Sequence, residues 1–376
     1  MSVAEALLPI LARTLRGVEW IAAAEVEAVL GPADISLGHR ELRFSAELTP
    51  ALLSLGTVDD IFLVAATTDG VDRTRESLSR LASVAKEIDL AGLARLLGRQ
   101  GRTFDVVGSF VGKRNYSRYE IEDAVGSALE TAAGWTYESR SAGAAARGSL
   151  SLRVHLVGSQ ATLALRIAAE PLHRRAYRVA SRPGSLHPPL ARALSLLAGL
   201  WRGAVLMDPF CGSGTIPIEA KLACRELRVR GLDLDPEAVA AARRNAAAAN
   251  VEVELAVADA ADLAVDSAHR LATNPPWGET VGSAGRFRLD PSSFVNELVR
   301  VLDPEGRAVF LAPPGNTLER AARSVFEVVL ESRVRVSGAI AVILVFAHRD
   351  SGAKPIDPAG LFGRELVERV QARPAL

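Results

Sequence analysis

Asp208-Pro209-Phe210-Cys211-Gly212-Ser213-Gly214-Thr215 separates a predicted strand, Ala204 to Met207, from a predicted helix, Ile216 to Ala223. An acidic residue at a strand end followed by a glycine-rich turn lets the backbone bend sharply beneath a ligand before the helix starts. A phosphate-binding loop of the Gly-Lys-Ser/Thr type is disfavoured, because Thr215-Ile216 follows Gly214 where the lysine would stand. A dinucleotide loop calls for a third glycine where Pro217 sits. What remains is an acid at the end of one strand, a second acid, Asp233, at the end of the next strand, and a third, Asp259, after the one that follows.

The pattern around this loop alternates. Helix Pro236 to Ala249, strand Val253 to Val257, Leu271-Ala272-Thr273, helix Pro291 to Leu302, strand Arg307 to Leu311, a helix near Leu318 to Val325 and two last strands follow it. Such alternation predicts a parallel sheet covered by helices, with ligands at the carboxyl ends of the strands. Upstream, Leu11 to Thr68 and Asp69 to Ile167 read as two smaller α+β units. In the second, Gly158-Ser159 is a hairpin signal between strands Leu150 to Val157 and Gln160 to Ile167. Glu170 to Pro189, with Pro, Gly and clustered arginines, reads as a linker.

Asn274-Pro275-Pro276-Trp277-Gly278 carries the chemistry. An exocyclic amino nitrogen is a poor nucleophile because its lone pair is delocalised into the base. Accepting hydrogen bonds from both amino hydrogens localises that pair. Asn274 offers a side-chain carbonyl and Pro275 a main-chain carbonyl, and consecutive prolines stiffen the turn that aims them. Trp277 supplies a flat face for a base removed from its stack, and Gly278 lets the chain pass close to it. Opposite lies the cofactor side. Asp233 is placed to accept from both ribose hydroxyls, Asp259 from an adenine amino group while the Ala260 amide donates to the ring, and Asp208 to face the cofactor's positive end. These readings suggest amino-group methylation with S-adenosylmethionine, on guanine or adenine alike.

Bulk properties fit a soluble enzyme. The 376 residues hold 44 basic and 44 acidic side chains, yet residues 101–182 carry 12 basic against 7 acidic. No apolar run reaches the length of a membrane span, and the N-terminus lacks a signal-peptide pattern, so a cytoplasmic location is expected. Cys211 and Cys224 cannot build a disulfide framework, and neither they nor the six scattered histidines show metal-ligand spacing, so no metal is expected.

The chain resembles the THUMP-domain RNA methyltransferases that modify the 2-amino group of guanosine. The resemblance rests on Asp208 to Ala220 and Asn274 to Gly278, on Leu172-His173-Arg174-Arg175-Ala176-Tyr177-Arg178, and on Phe110-Val111-Gly112-Lys113-Arg114-Asn115-Tyr116. It implies a Rossmann-like class I methyltransferase domain at 190–376, preceded by a ferredoxin-like domain at 1–68, a THUMP RNA-binding domain at 69–169 and a linker at 170–189. It also implies cofactor contacts from Phe210, Gly212, Gly214, Thr215 and Asn274 besides the three acids and Ala260, and catalysis by Asn274, Pro275, Pro276 and Trp277. RNA phosphates would meet Lys113, Arg114, Arg174, Arg175 and Arg178. The implied substrate is a tRNA acceptor stem; a monomer is expected, although the sequence itself does not set the oligomeric state. Ribosomal RNA, or a THUMP protein with a vestigial catalytic domain, are the alternatives. Many relatives have Tyr or Phe where Trp277 stands, and an Arg where this chain has Glu279-Thr280.

Overall fold

A computed structural model of the chain describes residues 6–31, 33–141, 143, 149–277, 290–336 and 338–356. The N-terminal half builds one mixed sheet from β1 (Leu8–Arg13), β2 (Ser36–Gly38), β3 (Glu41–Ala46), β4 (Asp60–Thr68), β5 (Thr103–Phe110), β6 (Thr136–Tyr137), β7 (Leu150–Val157) and β8 (Gln160–Arg166). Its order is β2-β3-β1-β4-β8-β7-β5-β6. The two α+β units read from the sequence therefore share a sheet, joined where β4 pairs antiparallel with β8, Phe62 opposite Arg166 and Thr68 opposite Ala161. β2 and β6 are too short to be legible, and β1 lacks alternation.

Local chemistry sets the helix starts. The helix Ser77–Lys86 starts only after a turn, in which Asp72 accepts from the Thr74 N–H at 2.8 Å and its hydroxyl at 2.7 Å. The helix Arg118–Ala133 begins where Ser117 and Glu120 form a reciprocal capping box. The Gly158-Ser159 hairpin is present, with Val157 opposite Gln160 and Gly158 at φ 60°.

The C-terminal half contains β9 (Val205–Asp208), β10 (Arg228–Asp233), β11 (Glu254–Val257), β12 (Ala268–Thr273), β13 (Leu302–Ala312), β14 (Phe326–Val336) and β15 (Ala339–His348). They are ordered β11-β10-β9-β12-β13-β15-β14. The first five are parallel. The expected parallel sheet is present over β9 to β13, and at one edge β15 runs antiparallel to both β13 and β14. The reason is the connection: two residues between β14 and β15 make a hairpin and cannot make a crossover. Strand order reverses between β9 and β12, which opens a crevice beyond their carboxyl ends. No helix among the described residues is long and apolar enough to cross a membrane.

The two halves are welded together. One apolar core runs from Trp20, Ile21 and Leu42 through Leu190 and Leu194 to Ile343. Within it lies a buried ionic cluster. Arg192, on the helix Pro188–Ala198, stands 3.3 Å from Glu25 and 3.7 Å from Glu219, and donates to the Glu219 carbonyl at 2.9 Å. Arg175 donates to Glu219 at 2.8 Å and to the Gly56 carbonyl at 2.7 Å, and the Tyr177 hydroxyl donates to Glu219 at 2.9 Å. Gly56 is obligatory here, since a Cβ would stand 1.9 Å from Arg192 Nε. Truncating one member of a buried ion cluster strands the others without solvent. Arg192→Ala is therefore expected to lower unfolding free energy by about 3–5 kcal/mol in urea titrations; a midpoint unchanged from wild type would contradict this role.

Candidate active site

The loop after β9 is held from both sides. The Cys211 N–H donates to the Leu232 carbonyl at 2.8 Å, and the Gly212 N–H to Asp233 Oδ2 at 2.8 Å. Gly212 (φ 53°) and Gly214 (φ 82°) occupy the left-handed region, where side chains are strained. Gly214 is doubly constrained, because a Cβ would lie 3.0 Å from the Ala242 Cβ of the neighbouring helix Pro236–Ala248. Thr215 opens the helix Thr215–Ala223 and is buried. Phe210 is half-buried and packs edge-to-face on Phe294, with ring centroids 5.1 Å apart.

Asp208 and Asp233 end the neighbouring strands β9 and β10, and Asp259 follows β11, in that order across the sheet. Asp208 is fully enclosed. Its Oδ1 accepts from the Thr273 hydroxyl at 2.6 Å and from the Phe210 N–H at 3.2 Å. Burial pushes its carboxyl up to about 7; those two hydrogen bonds oppose the shift and the nearby Asp233 charge adds to it. Asp233 already accepts from Gly212 on one oxygen and from the Asp235 N–H, at 3.0 Å, on the other. The carboxylate is thereby fixed in orientation, with one lone-pair direction left on each oxygen for a diol. Asp259 is half-buried, accepts from the Ala261 N–H at 3.0 Å and adjoins Ala260, which is buried in the C-terminal core.

Across the switch point, β12 delivers Asn274 beside this loop. Asn274 Oδ1 is buried without any hydrogen-bond partner among the described residues. Pro275 is buried, and Pro276 and Trp277 are half-buried. The Trp277 indole N–H donates to the Leu311 carbonyl at 3.3 Å, which ties the ring to the end of β13. Gly278, Glu279 and Thr280 lie outside the described residues.

Two of the side chains expected to meet phosphates are engaged within the protein. Arg114 donates to the carbonyls of Val71 (2.9 Å), Asp72 (2.7 Å) and Gly158 (2.6 Å), and so staples the end of the first sheet. Arg175 belongs to the buried cluster on Glu219. Both guanidinium groups are occupied internally. Arg174 is exposed beside Glu170 at 3.4 Å, a pairing worth little in water. The side chains of Lys113, exposed, and Arg178, half-exposed, make no hydrogen bond or ion pair among the described residues.

Sequence spacing gave no signal for the strap over the loop. Asn245 accepts from the Ala180 N–H at 2.9 Å and donates to the carbonyls of Ala180 (2.7 Å) and Ser213 (2.9 Å). Ser185 and Ser213 share a hydrogen bond of 2.9 Å, and Arg182 pairs with Asp235 and Glu237.

A Rossmann-like sheet of order 3-2-1-4-5-7-6 within its domain, with a glycine loop after the first strand and Asn-Pro-Pro-Trp after the fourth, defines a class I methyltransferase fold. Residues 175–341 match the family described as UPF0020, RMKL-like, methyltransferase domain. A tRNA (guanine(6)-N2)-methyltransferase of Thermus thermophilus is 34% identical over 215 residues, 56% of this chain and 62% of the relative. A ribosomal RNA large subunit methyltransferase K/L of Syntrophotalea carbinolica is 31% identical over 221 residues, 45% of this chain and 31% of the relative. The alignments thus span less than two thirds of either relative. The crystal structure of TrmN from Thermus thermophilus superposes with a TM-score of 0.77 at 28% identity, covering 91% of this chain and 99% of that one.

The raised Asp208 carboxyl has a consequence for stability. A carboxyl that titrates higher in the native state than in the unfolded chain destabilises the fold as pH rises from about 4 to about 7. Asp208→Asn is therefore expected to be more stable than wild type above pH 7 by ~1–3 kcal/mol, with the gap closing below pH 4. Thermal melts across that range check it; a variant less stable at pH 8 than at pH 4 relative to wild type would contradict it.

Proposed function

We propose that the protein transfers a methyl group from S-adenosylmethionine to the 2-amino group of a guanosine in structured RNA, with a tRNA acceptor stem as substrate. The observation that carries this reading is the buried, unpartnered Oδ1 of Asn274 beside the Asp208 loop. A buried acceptor without a donor is costly unless a ligand supplies one, and an exocyclic amino group does. Gly212, Gly214, Asp233 and Asp259 would hold the donor, with Asp208 facing its cationic end. Bound S-adenosylmethionine supplies an electrophilic methyl group on a sulfonium.

The chain's own part is orientation. Asn274 Oδ1 accepts one amino hydrogen and the Pro275 carbonyl the other, so the nitrogen lone pair localises toward the methyl carbon. The new N–C bond forms as the S–C bond breaks, the S–C electron pair stays on sulfur, and the surplus amino proton leaves to solvent. Trp277, tethered at Leu311, presents a ring to the extruded base. The names of the relatives from Thermus and Syntrophotalea support RNA as substrate class, and the former supports guanine-N2 chemistry on tRNA. Residues 69–169 serve as the RNA-binding module, the enzyme works as a monomer in the cytoplasm, and Lys113, Arg174 and Arg178 touch phosphates.

Mass spectrometry of nucleosides after incubation with purified tRNA, ribosomal RNA and labelled donor is expected to show N2-methylguanosine from tRNA; N6-methyladenosine, or product from ribosomal RNA alone, would overturn the assignment. In the same assay, Asn274→Ala should lower turnover by at least about 10²–10³-fold while calorimetry finds donor affinity within about threefold of wild type. Equal loss of both would make Asn274 a cofactor residue. Lys113→Ala and Arg178→Ala should each flatten the slope of log affinity for RNA against log salt by about 0.7–0.9, whereas Arg114→Ala and Arg175→Ala should lower the melting temperature.

A further inference from the structure

Thr273 precedes the Asn-Pro-Pro-Trp motif, and it is where that motif touches the glycine loop. Its side chain is wholly buried at the end of β12, and its hydroxyl donates to Asp208 Oδ1 over 2.6 Å. Among the described residues the one other donor to that carboxylate is the Phe210 N–H at 3.2 Å, and no cation pairs with it. We propose that Thr273 is a positioning residue for methyl transfer: its hydroxyl holds the Asp208 carboxylate in its donor-binding orientation and ties it to the strand end that projects Asn274. This assignment rests on the S-adenosylmethionine reading above.

Two physical points support a polar role over simple space-filling. Valine would fill the same volume, and a hydroxyl turned onto a buried carboxylate oxygen is the feature that distinguishes threonine there. Asp208 is also poorly provided for. The other groups facing it are Asp233, from the end of β10, and the Cys211 thiol in the loop, whose own ionisation burial strongly disfavours. With both donors in place the carboxyl still stands at about 7, so losing the shorter hydrogen bond moves it further up and leaves it protonated at neutral pH. A protonated Asp208 offers no charge to a cationic ligand.

The test is calorimetric titration of S-adenosylmethionine into the full-length wild type, Thr273→Val and Thr273→Ser between pH 6 and 9. Thr273→Val is expected to bind about fivefold more weakly than wild type at pH 7, which is the loss of ionised Asp208 that a one-unit rise from about 7 gives, and to recover to within about twofold at pH 9. Thr273→Ser, which restores the hydroxyl, should follow wild type throughout. A Thr273→Val curve that superposes on wild type, or a loss of equal size at every pH, overturns the assignment while leaving the donor reading intact. A wild type that binds no donor overturns both. Should Thr273→Val fail to fold, Thr273→Cys keeps a weaker donor at that position and must show a smaller displacement in the same direction.

Discussion

The hydrogen bond from Thr273 to Asp208 is the contact on which the site depends. β9 and β12 are neighbours in the sheet and run the same way, with Arg270 opposite Leu206 and Leu271 opposite Met207. That register puts the ends of both strands at one level. A loop that can carry a cationic cofactor and a loop that can carry an acceptor amide therefore emerge side by side. Either loop alone is a turn; the strand pairing makes them a site.

The same site is held from outside its domain. Glu219, on the helix that follows the glycine loop, collects Arg175, Tyr177 and Arg192, while Arg192 reaches Glu25 in the N-terminal half. Closer to the loop, Asn245, Ser185 and Arg182 bind the strap of residues 180–185 to Ser213 and Asp235. Asp235 in turn donates its N–H to Asp233. Segments that contact RNA in the proposed reading, around Arg174 and Arg178, thus share one continuous hydrogen-bonded chain with the loop. Buried charges of this kind add little net stability compared with apolar packing, but they fix one relative placement of the two halves.

Much of this was legible in the sequence, for identifiable reasons. The strand ends at Asp208 and Asp233 follow from local signals: an apolar run, an acid, then glycines or a capping Asp-Pro before a helix. The signals that set the helix starts at Ser77 and Arg118, Asp72 and the Ser117/Glu120 pair, are likewise visible in the sequence. What spacing could not give were partners distant in the chain. Arg114 and Arg175 look like free cations until Gly158 and Glu219 are brought to them, 44 residues away in each case. Thr273 reads as one more strand residue until β9 is placed beside it. The antiparallel edge was legible in the short link before Ala339, but the alternation of the preceding elements outweighed it.

The most direct measurement is a structure of the protein with S-adenosylhomocysteine and a guanosine-bearing RNA stem. The base should be found out of its stack against Trp277, with its 2-amino nitrogen at ~2.7–3.2 Å from Asn274 Oδ1 and turned toward the cofactor sulfur. A complex in which Asn274 Oδ1 bonds to the protein backbone, with the amino group elsewhere, would contradict the account.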